Sequence, residues 1–157
     1  MARTPDPTRV VADADVLVAD LFVDAEARAA MDLIRSHTWF ELVASEPLLA
    51  TARAAIVSLA DAELADDWLE RVRGEARLVE HPAGDTPALA SAYHAGAGHL
   101  VTYDPQLRSA ATGVRMRRAM PLSVRHPRAF ADRVDPAVVY EVATDEPYPG
   151  PDADPRS

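Results

Sequence analysis

Short runs of strand-forming residues alternate with longer helical stretches along the chain, and this alternation constrains the fold more than any other feature. A strand followed by a helix and a second strand pairs in parallel through a right-handed crossover. The pattern therefore predicts an α/β domain, a three-layer α/β/α sandwich with a central, mostly parallel five-stranded sheet. The predicted strands are residues 10–12, 38–45, 77–81, 99–104 and 121–126.

The length of the chain predicts one folded domain followed by a tail. Of the 157 residues, 48% are hydrophobic, which suffices for one core but not for two. We assign residues 1–134 to the α/β domain. Residues 135–157 are rich in proline and acids and are predicted to be largely disordered. The apolar stretch "PAVVYEV" within them is either a closing strand or a partner-binding segment.

The composition excludes several kinds of site. The chain contains no cysteine, so disulfides, thiolate metal sites and a cysteine nucleophile are excluded, and a reducing cytoplasm is the expected compartment. No apolar run approaches the length that a bilayer requires. We therefore expect a soluble, cytoplasmic protein without a membrane partner.

The charge pattern is typical of proteins adapted to high salt. Acids outnumber bases by 25 to 16, every base is arginine, and lysine and asparagine are absent. An acid excess keeps a protein soluble where salt screens charge. The composition indicates a salt-adapted, GC-rich archaeon, although genomic composition bias alone would give the same pattern.

Three aspartates are predicted to meet at one edge of the sheet. Asp13 and Asp104 follow the first and fourth predicted strands, and Asp85 precedes an alanine-rich helix as its expected N-cap. The carboxyl ends of parallel strands share one edge, where ligands bind in open α/β sheets. Three carboxylates there need a counter-charge, and Mg²⁺ or Mn²⁺ would supply it and activate a water for attack on a phosphate. Helix capping alone also accounts for Asp85, and the helix dipole alone accounts for Asp15.

Three stretches, "VVADADVLVADLF", "DTPALASAYHAGAGHLVTYDPQL" and "SVRHPRAFADRV", together resemble the PIN domain, a metal-dependent ribonuclease fold of toxin–antitoxin pairs and RNA-processing factors. The resemblance covers residues 9–134. An Asp-Thr-Asn-like motif of the family is matched by residues 13–15, a helix-opening acid by Asp85, and a Thr-x-Asp motif by residues 102–104.

The resemblance implies a metal-dependent endoribonuclease, either toxin-like or RNA-processing. Asp13, Asp85 and Asp104 would be the catalytic ligands of Mg²⁺ or Mn²⁺, with Asp15 as a further ligand and Thr102 as hydrogen-bonding support. The implied partners are RNA, a second copy of the chain in a homodimer, and an antitoxin-like protein if the chain is a toxin.

One position departs from the family pattern. PIN domains carry a second acid, usually Glu, in the helix after the second strand, where this chain has Thr51. Glu46 lies five residues earlier and would point from another side of the helix. Two hypotheses stay open: a nuclease with weakened metal binding, or a catalytically inactive PIN-like domain that binds RNA or a protein partner.

A second phosphate chemistry begins with the same motif. Asp-x-Asp after an apolar strand also resembles haloacid dehalogenase-like phosphatases, in which the first Asp is the nucleophile and the second the acid/base. "GDTPALASAYHAGAG" is similar to a later motif of that family, but its expected second acid is Leu89, and its usual lysine does not occur in this chain. The phosphatase also gives Asp104 no role, so it ranks behind the nuclease.

A basic segment follows Asp104. Residues 105–131 contain six arginines and no acid, against the acidic balance of the whole chain. Guanidinium groups suit phosphate oxygens, so we predict that this segment guides an RNA backbone. Pairing with the acid-rich helices or with an acidic partner accounts for it equally well. The predicted RNA-binding residues are Arg108, Arg115, Arg117 and Arg118.

Overall fold

A computed structural model describes residues 5–109 and 122–156 of the chain. Within these residues the predicted architecture is confirmed, since helices flank a central five-stranded sheet that is parallel throughout. The strands lie in the order β3-β2-β1-β4-β5. Their bounds are β1 Asp6–Ala12, β2 Glu41–Ala44, β3 Arg77–Leu78, β4 Ala97–Val101 and β5 Ser123–Arg125.

The helices of the described residues begin mostly at side chains that accept a backbone N–H. Asp24, Ser45 and Asp61 are such N-caps, as their short polar side chains favour. None of these helices combines the length and the apolar character needed to cross a bilayer. Their bounds are α1 Ala14–Leu21, α2 Ala25–Arg35, α3 Glu46–Leu59, α4 Ala62–Glu75, α5 Pro87–Ala95, α6 Pro105–Arg108, α7 Pro127–Arg133 and α8 Pro136–Thr144.

The C-terminal parts of β1 and β4, which are neighbours in the sheet, are apolar on both faces, as is typical of a parallel sheet covered by helices. Residues 10–12 of β1 and residues 100–101 of β4 are fully buried. The two strands lie side by side with Ala12 opposite Val101. The next residue along each strand therefore leaves the sheet at the same edge.

The C-terminal segment is folded in this structure, in contrast to the predicted disordered tail. Its apolar stretch forms helix α8 rather than a closing strand, and the residues after it run along the end of α2. His37 Nδ1 donates to the Leu33 carbonyl oxygen, so His37 Nε2 accepts from the Tyr148 hydroxyl at 2.6 Å. Asp152 accepts from the backbone N and the hydroxyl of Thr38 at 2.7 and 2.6 Å. The composition did not indicate these contacts, because the partners lie 111 and 114 positions apart.

The beginning of β1 lies very close to β4 at Gly98. Asp6 is opposite Ala97, and the register shifts between Asp6 and Val10. A Cβ atom at position 98 would lie 2.9 Å from both the Asp6 carbonyl oxygen and Pro7 Cα. Because both are backbone atoms, they cannot turn away as the end of a side chain would. The close approach of the two strands therefore requires glycine.

We predict that Gly98→Ala destabilises the fold by about 1–3 kcal/mol, because the two strands must move apart to admit the methyl group. Urea unfolding followed by circular dichroism measures the change. Gly74→Ala is the matched control: no atom lies within 4 Å of a Cβ there, and alanine inside helix α4 should be neutral or stabilising. Equal effects of the two substitutions would contradict the close approach.

Candidate functional site

The carboxyl ends of β1 and β4 bring Asp13 and Thr102 together. Asp13 caps α1, its Oδ1 accepting from the backbone N of Ala14 at 2.7 Å. Thr102 is fully buried, and its hydroxyl donates to Asp13 Oδ2 at 2.8 Å. The backbone N of Asp13 also donates to the Val101 carbonyl at 2.9 Å. A main-chain and a side-chain hydrogen bond therefore both join the end of β1 to the end of β4.

The Thr102 hydroxyl also reaches Asp104. The backbone N of Asp104 donates to Thr102 Oγ1 at 3.0 Å. The Asp104 carboxylate caps α6, its Oδ1 accepting from the backbone N of Gln106 at 2.9 Å. A hydroxyl has one proton and two lone pairs, so Thr102 gives its proton to Asp13 and accepts from residue 104.

Asp15 lies in the first turn of α1, beside Asp13. Its Oδ2 accepts from the backbone N of Tyr103 at 3.2 Å and lies 3.5 Å from Thr102 Oγ1. Its Oδ1 is buried and has no hydrogen-bond partner among the described residues. Burial, and then the negative charge of Asp13, raise the pKa of the Asp15 carboxyl from 3.8 to about 6. The arrangement favours uptake of a proton or a cation.

Asp85 does not join this group. Its side chain is exposed in the loop before α5, and Thr86 occupies the N-cap position that the sequence analysis gave to Asp85. That assignment is wrong because the helix begins one residue later, at Pro87, where proline suits the first turn. The described residues contain no cluster of three or more His, Cys, Asp or Glu side chains able to hold a metal ion. The predicted metal-binding roles of Asp85 and Asp104 stay predictions.

Thr51, where PIN domains carry an acid, lines the same groove as Asp15. The Thr51 hydroxyl donates to the Pro47 carbonyl one turn earlier, at 3.1 Å. No carboxylate replaces the expected acid at this position. The groove has a volume of about 840 Å³ and is lined by Ala14, Asp15, Val18, Ala19, Phe22, Asp24, Thr51, Ala55 and Leu59.

Glu46 does not substitute for the acid that is absent at position 51. Arg73 of α4 donates to both of its carboxylate oxygens, at 3.0 and 2.7 Å. This bidentate pair lies on the exposed side of α3 and α4. Glu46 is therefore engaged in a surface ion pair away from the groove lining.

The residues present fit a divalent cation as a two-carboxylate site. Mg²⁺ commonly binds through one or two carboxylates and keeps several waters. The buried, unpartnered Oδ1 of Asp15 offers one ligand atom. Asp13 offers a second carboxylate, oriented by the hydrogen bonds that each of its oxygens accepts. Asp13 and Asp15 are thus the residues that would hold Mg²⁺ or Mn²⁺.

Sequence reasoning missed a polar cluster at the carboxyl end of β2. The Ser45 hydroxyl lies 2.8 Å from Ser91 Oγ and 2.8 Å from His81 Nε2. His81 Nδ1 donates to the Pro82 carbonyl at 2.9 Å, which leaves Nε2 as an acceptor. Ser45 and Ser91 are fully buried. The one sequence signal was the position of Ser45 at a strand end, since its partners lie 36 and 46 positions away.

The described arginines of the basic segment contact the protein itself. Arg108 donates to the Tyr103 carbonyl at 3.3 Å, and Arg125 donates to His99 Nδ1 at 3.4 Å. Arg128 pairs with Asp132 at 3.7 Å. The other predicted RNA-binding residues, Arg115, Arg117 and Arg118, lie outside the described residues. RNA guidance by this segment stays a prediction.

Asp15→Asn is predicted to stabilise the fold at pH 7.5 in metal-free buffer. Between pH 3.8 and about 6 the folded state keeps a proton on Asp15 that the unfolded chain has lost, so stability falls as pH rises through this window. Asparagine does not ionise, so the variant should melt at a higher temperature at pH 7.5, and the difference should shrink towards pH 4. Thermal scans across this range measure it. If Asp85→Asn, at an exposed position, raises the melting temperature by as much, the general loss of negative charge is the cause.

Comparisons with known proteins support the PIN-like fold. A chain of VapBC2 from Rickettsia felis, solved bound to a DNA fragment from the promoter, matches with a TM-score of 0.50 and 13% identity. The match covers 75% of this chain and 98% of that chain, and at this identity it shows the fold alone. No curated protein matches the sequence. Residues 4–156 match a family of unknown function, DUF7384, and since the match spans almost the whole chain, the protein belongs to that family.

Proposed function

We propose that this chain is a metal-assisted nuclease with a PIN-like fold and that its substrate is RNA. The observation that carries the proposal is the pair of carboxylates, Asp13 and Asp15, held at the carboxyl edge of β1 around the hydroxyl of Thr102. Two like charges in a partly buried place destabilise a fold, and such arrangements cluster at functional sites. The edge is also where open parallel sheets bind their ligands.

The protein groups around the pair orient the two carboxylates. Asp13 is held by the Ala14 backbone N and the Thr102 hydroxyl, and Asp15 by the Tyr103 backbone N. These bonds leave Asp15 Oδ1 as a ligand atom without a competing partner among the described residues. Mg²⁺ or Mn²⁺ bound here would supply an activated water and stabilise negative charge on a scissile phosphate.

A catalytically inactive PIN-like domain is the second candidate, and Thr51 favours it. The groove beside Asp15 has a threonine at the position of the family's second acid, Glu46 pairs with Arg73, and Asp85 is exposed. A site with two carboxylates binds a cation more weakly than one with three or four. Such a domain would bind RNA or a protein partner without cutting.

The groove beside Asp15 suits a protein partner in this second case. Phe22 lines the groove and is 43% exposed, and Leu59 is 67% exposed at its other wall. Exposed apolar side chains around a groove are typical of binding surfaces. An antitoxin-like protein is the partner we propose for it.

The haloacid dehalogenase-like phosphatase has less support. That family normally uses a lysine, and this chain contains none. Leu89 stands where that family's second acid would be. We also propose that the chain forms a homodimer in the cytoplasm of a salt-adapted cell, and high KCl is therefore the medium for its measurements.

Mn²⁺ is predicted to raise the melting temperature of the wild-type protein, because a ligand that binds only the folded state stabilises it. At a hundred times the dissociation constant the gain is about 2.7 kcal/mol, or on the order of 5–10 °C. Asp13→Asn and Asp15→Asn should lose most of this shift, whereas Asp66→Asn, at an exposed surface ion pair, should keep it. Cleavage of a single-stranded RNA in Mn²⁺ should likewise be lost in Asp13→Asn and Asp15→Asn and kept in Asp66→Asn. A wild-type protein without any Mn²⁺ shift would refute the nuclease.

Thr51→Glu is predicted to lower the Mn²⁺ concentration that gives half of the thermal shift, by about tenfold. The new carboxylate would enter the groove that Asp15 lines and add a third ligand. Thr144→Glu is the matched control, since Thr144 also donates to a carbonyl one turn earlier on an exposed helix face. If Thr51→Glu produces RNA cleavage that the wild-type protein lacks, the natural chain is the inactive domain. If it changes neither binding nor cleavage, position 51 does not belong to the site.

A further inference from the structure

We infer that Tyr103 is a positioning residue that braces both ends of α1 and thereby sets the geometry of the Asp13 and Asp15 carboxylates. The inference rests on the proposed function, because the carboxylate pair is the site that Tyr103 would position. Tyr103 is the middle residue of the "TYD" sequence that follows β4.

The two polar ends of Tyr103 contact the two ends of α1. Its backbone N donates to Asp15 Oδ2 at 3.2 Å, in the first turn of the helix. Its hydroxyl donates to Asp24 Oδ1 at 2.7 Å, just beyond the end of the helix. Asp24 is in turn the N-cap of α2. One residue just after β4 therefore holds the beginning of α1 and the turn that follows it.

The turn that Tyr103 holds is strained. Val23 adopts a φ of 64°, in the left-handed region, and is 65% exposed. A β-branched residue is unfavourable there, and such a conformation persists only where surrounding contacts enforce it. Two backbone bonds do so, from Val23 N to the Asp20 carbonyl at 3.1 Å and from Asp24 N to the Ala19 carbonyl at 2.9 Å. The Tyr103 hydroxyl adds the contact that ties this turn to the sheet.

The ring of Tyr103 is itself fixed. It lies edge-on to His126, with the ring centroids 5.0 Å apart. His126 caps α7 through Nδ1, which accepts from the Arg128 backbone N at 3.1 Å, and its Nε2 lies 3.4 Å from a Glu26 carboxylate oxygen. Tyr103 thus contacts the N-cap residue of α7 through its ring and the N-cap residue of α2 through its hydroxyl. These contacts support the turn at Asp24.

A short helix transmits such a constraint to the site. α1 has eight residues, so a shift at its last turn is carried to the first turn, where Asp15 lies. Asp13 and Asp15 must share a narrow space around Thr102, since their oxygens lie 2.8 and 3.5 Å from the same hydroxyl. Without the brace, release of the strained turn would let α1 rotate and separate the two carboxylates.

Mn²⁺ titrations followed by thermal shift test the inference in the full chain. Tyr103→Phe removes only the hydroxyl and should raise the half-saturating Mn²⁺ concentration about tenfold, as losses of orienting groups around a metal do. Asp24→Ser is a second variant: serine still caps a helix but is too short to keep the same contact, and it should give a similar change. Tyr93→Phe, on a tyrosine that is 62% exposed, is the control and should bind as the wild type does. Equal half-saturating concentrations in all four proteins would overturn the brace.

Relieving the backbone strain at Val23 distinguishes a positioning role of Tyr103 from a role in stability alone. Val23→Gly permits the left-handed backbone without a steric cost, so the turn should no longer need the hydroxyl. In the Val23→Gly background, Tyr103→Phe should change the half-saturating Mn²⁺ concentration by less than twofold, a coupling that a double-mutant cycle measures. If the two substitutions change the half-saturating Mn²⁺ concentration by independent factors, Tyr103 contributes stability alone and the inference is wrong.

Hydrogen exchange of metal-free protein separates this inference from the nuclease proposal. Tyr103→Phe should speed exchange of the α1 amides, because local opening follows the loss of a fixing contact, while Tyr93→Phe should not. Faster exchange in a chain whose wild type shows no Mn²⁺ shift would support the brace and refute the metal site. Unchanged exchange in a chain that binds Mn²⁺ would refute the brace and leave the metal site standing.

Discussion

The hydrogen bond from the buried Thr102 hydroxyl to the Asp13 carboxylate is the interaction on which the candidate site depends. It joins the ends of β1 and β4, which are neighbours in the sheet although the two residues lie 89 positions apart. A hydrogen bond to a charged acceptor contributes about 1.5–3 kcal/mol. The same hydroxyl receives the backbone N of Asp104. Removing it would leave Asp13 with its helix cap alone, beside a second carboxylate.

The Asp13 and Asp15 pair is maintained against its own repulsion. Burial and the neighbouring charge disfavour ionised Asp15, and the hydrogen bond from the Tyr103 backbone N compensates only in part. Residues chosen for stability alone would not place a second acid here, because an amide or an alanine would avoid the desolvation. The presence of this costly pair beside a groove is the physical reason to regard it as functional.

The distribution of arginines distinguishes the Asp13 and Asp15 pair from the ion-paired carboxylates of the chain. In an acidic chain most described arginines neutralise carboxylates at the surface, as Arg73 does with Glu46 and Arg53 with Asp66. Such exposed pairs contribute little to stability individually, and none of the ion pairs among the described residues includes Asp13 or Asp15. The lining of the groove beside Asp15 includes no arginine among the described residues. Asp15, which lines the groove, therefore has no arginine beside it there and is available to an external cation, whether a metal ion or a basic group of a partner.

The sequence by itself determined the order of the five strands and most of the helices between them, because strand and helix periodicities and N-cap chemistry are local properties. It also placed Asp13, Thr102 and Asp104 at strand ends, which the parallel sheet then gathers at one edge. The tertiary structure alone decided that Asp85 faces solvent and that Tyr103 contacts Asp15. It likewise decided the docking of the tail on α2 and the association of Ser45 with His81 and Ser91. These depend on side-chain directions and on contacts between residues far apart in the chain, and such contacts form only when the packed helices fix which groups lie within hydrogen-bonding distance.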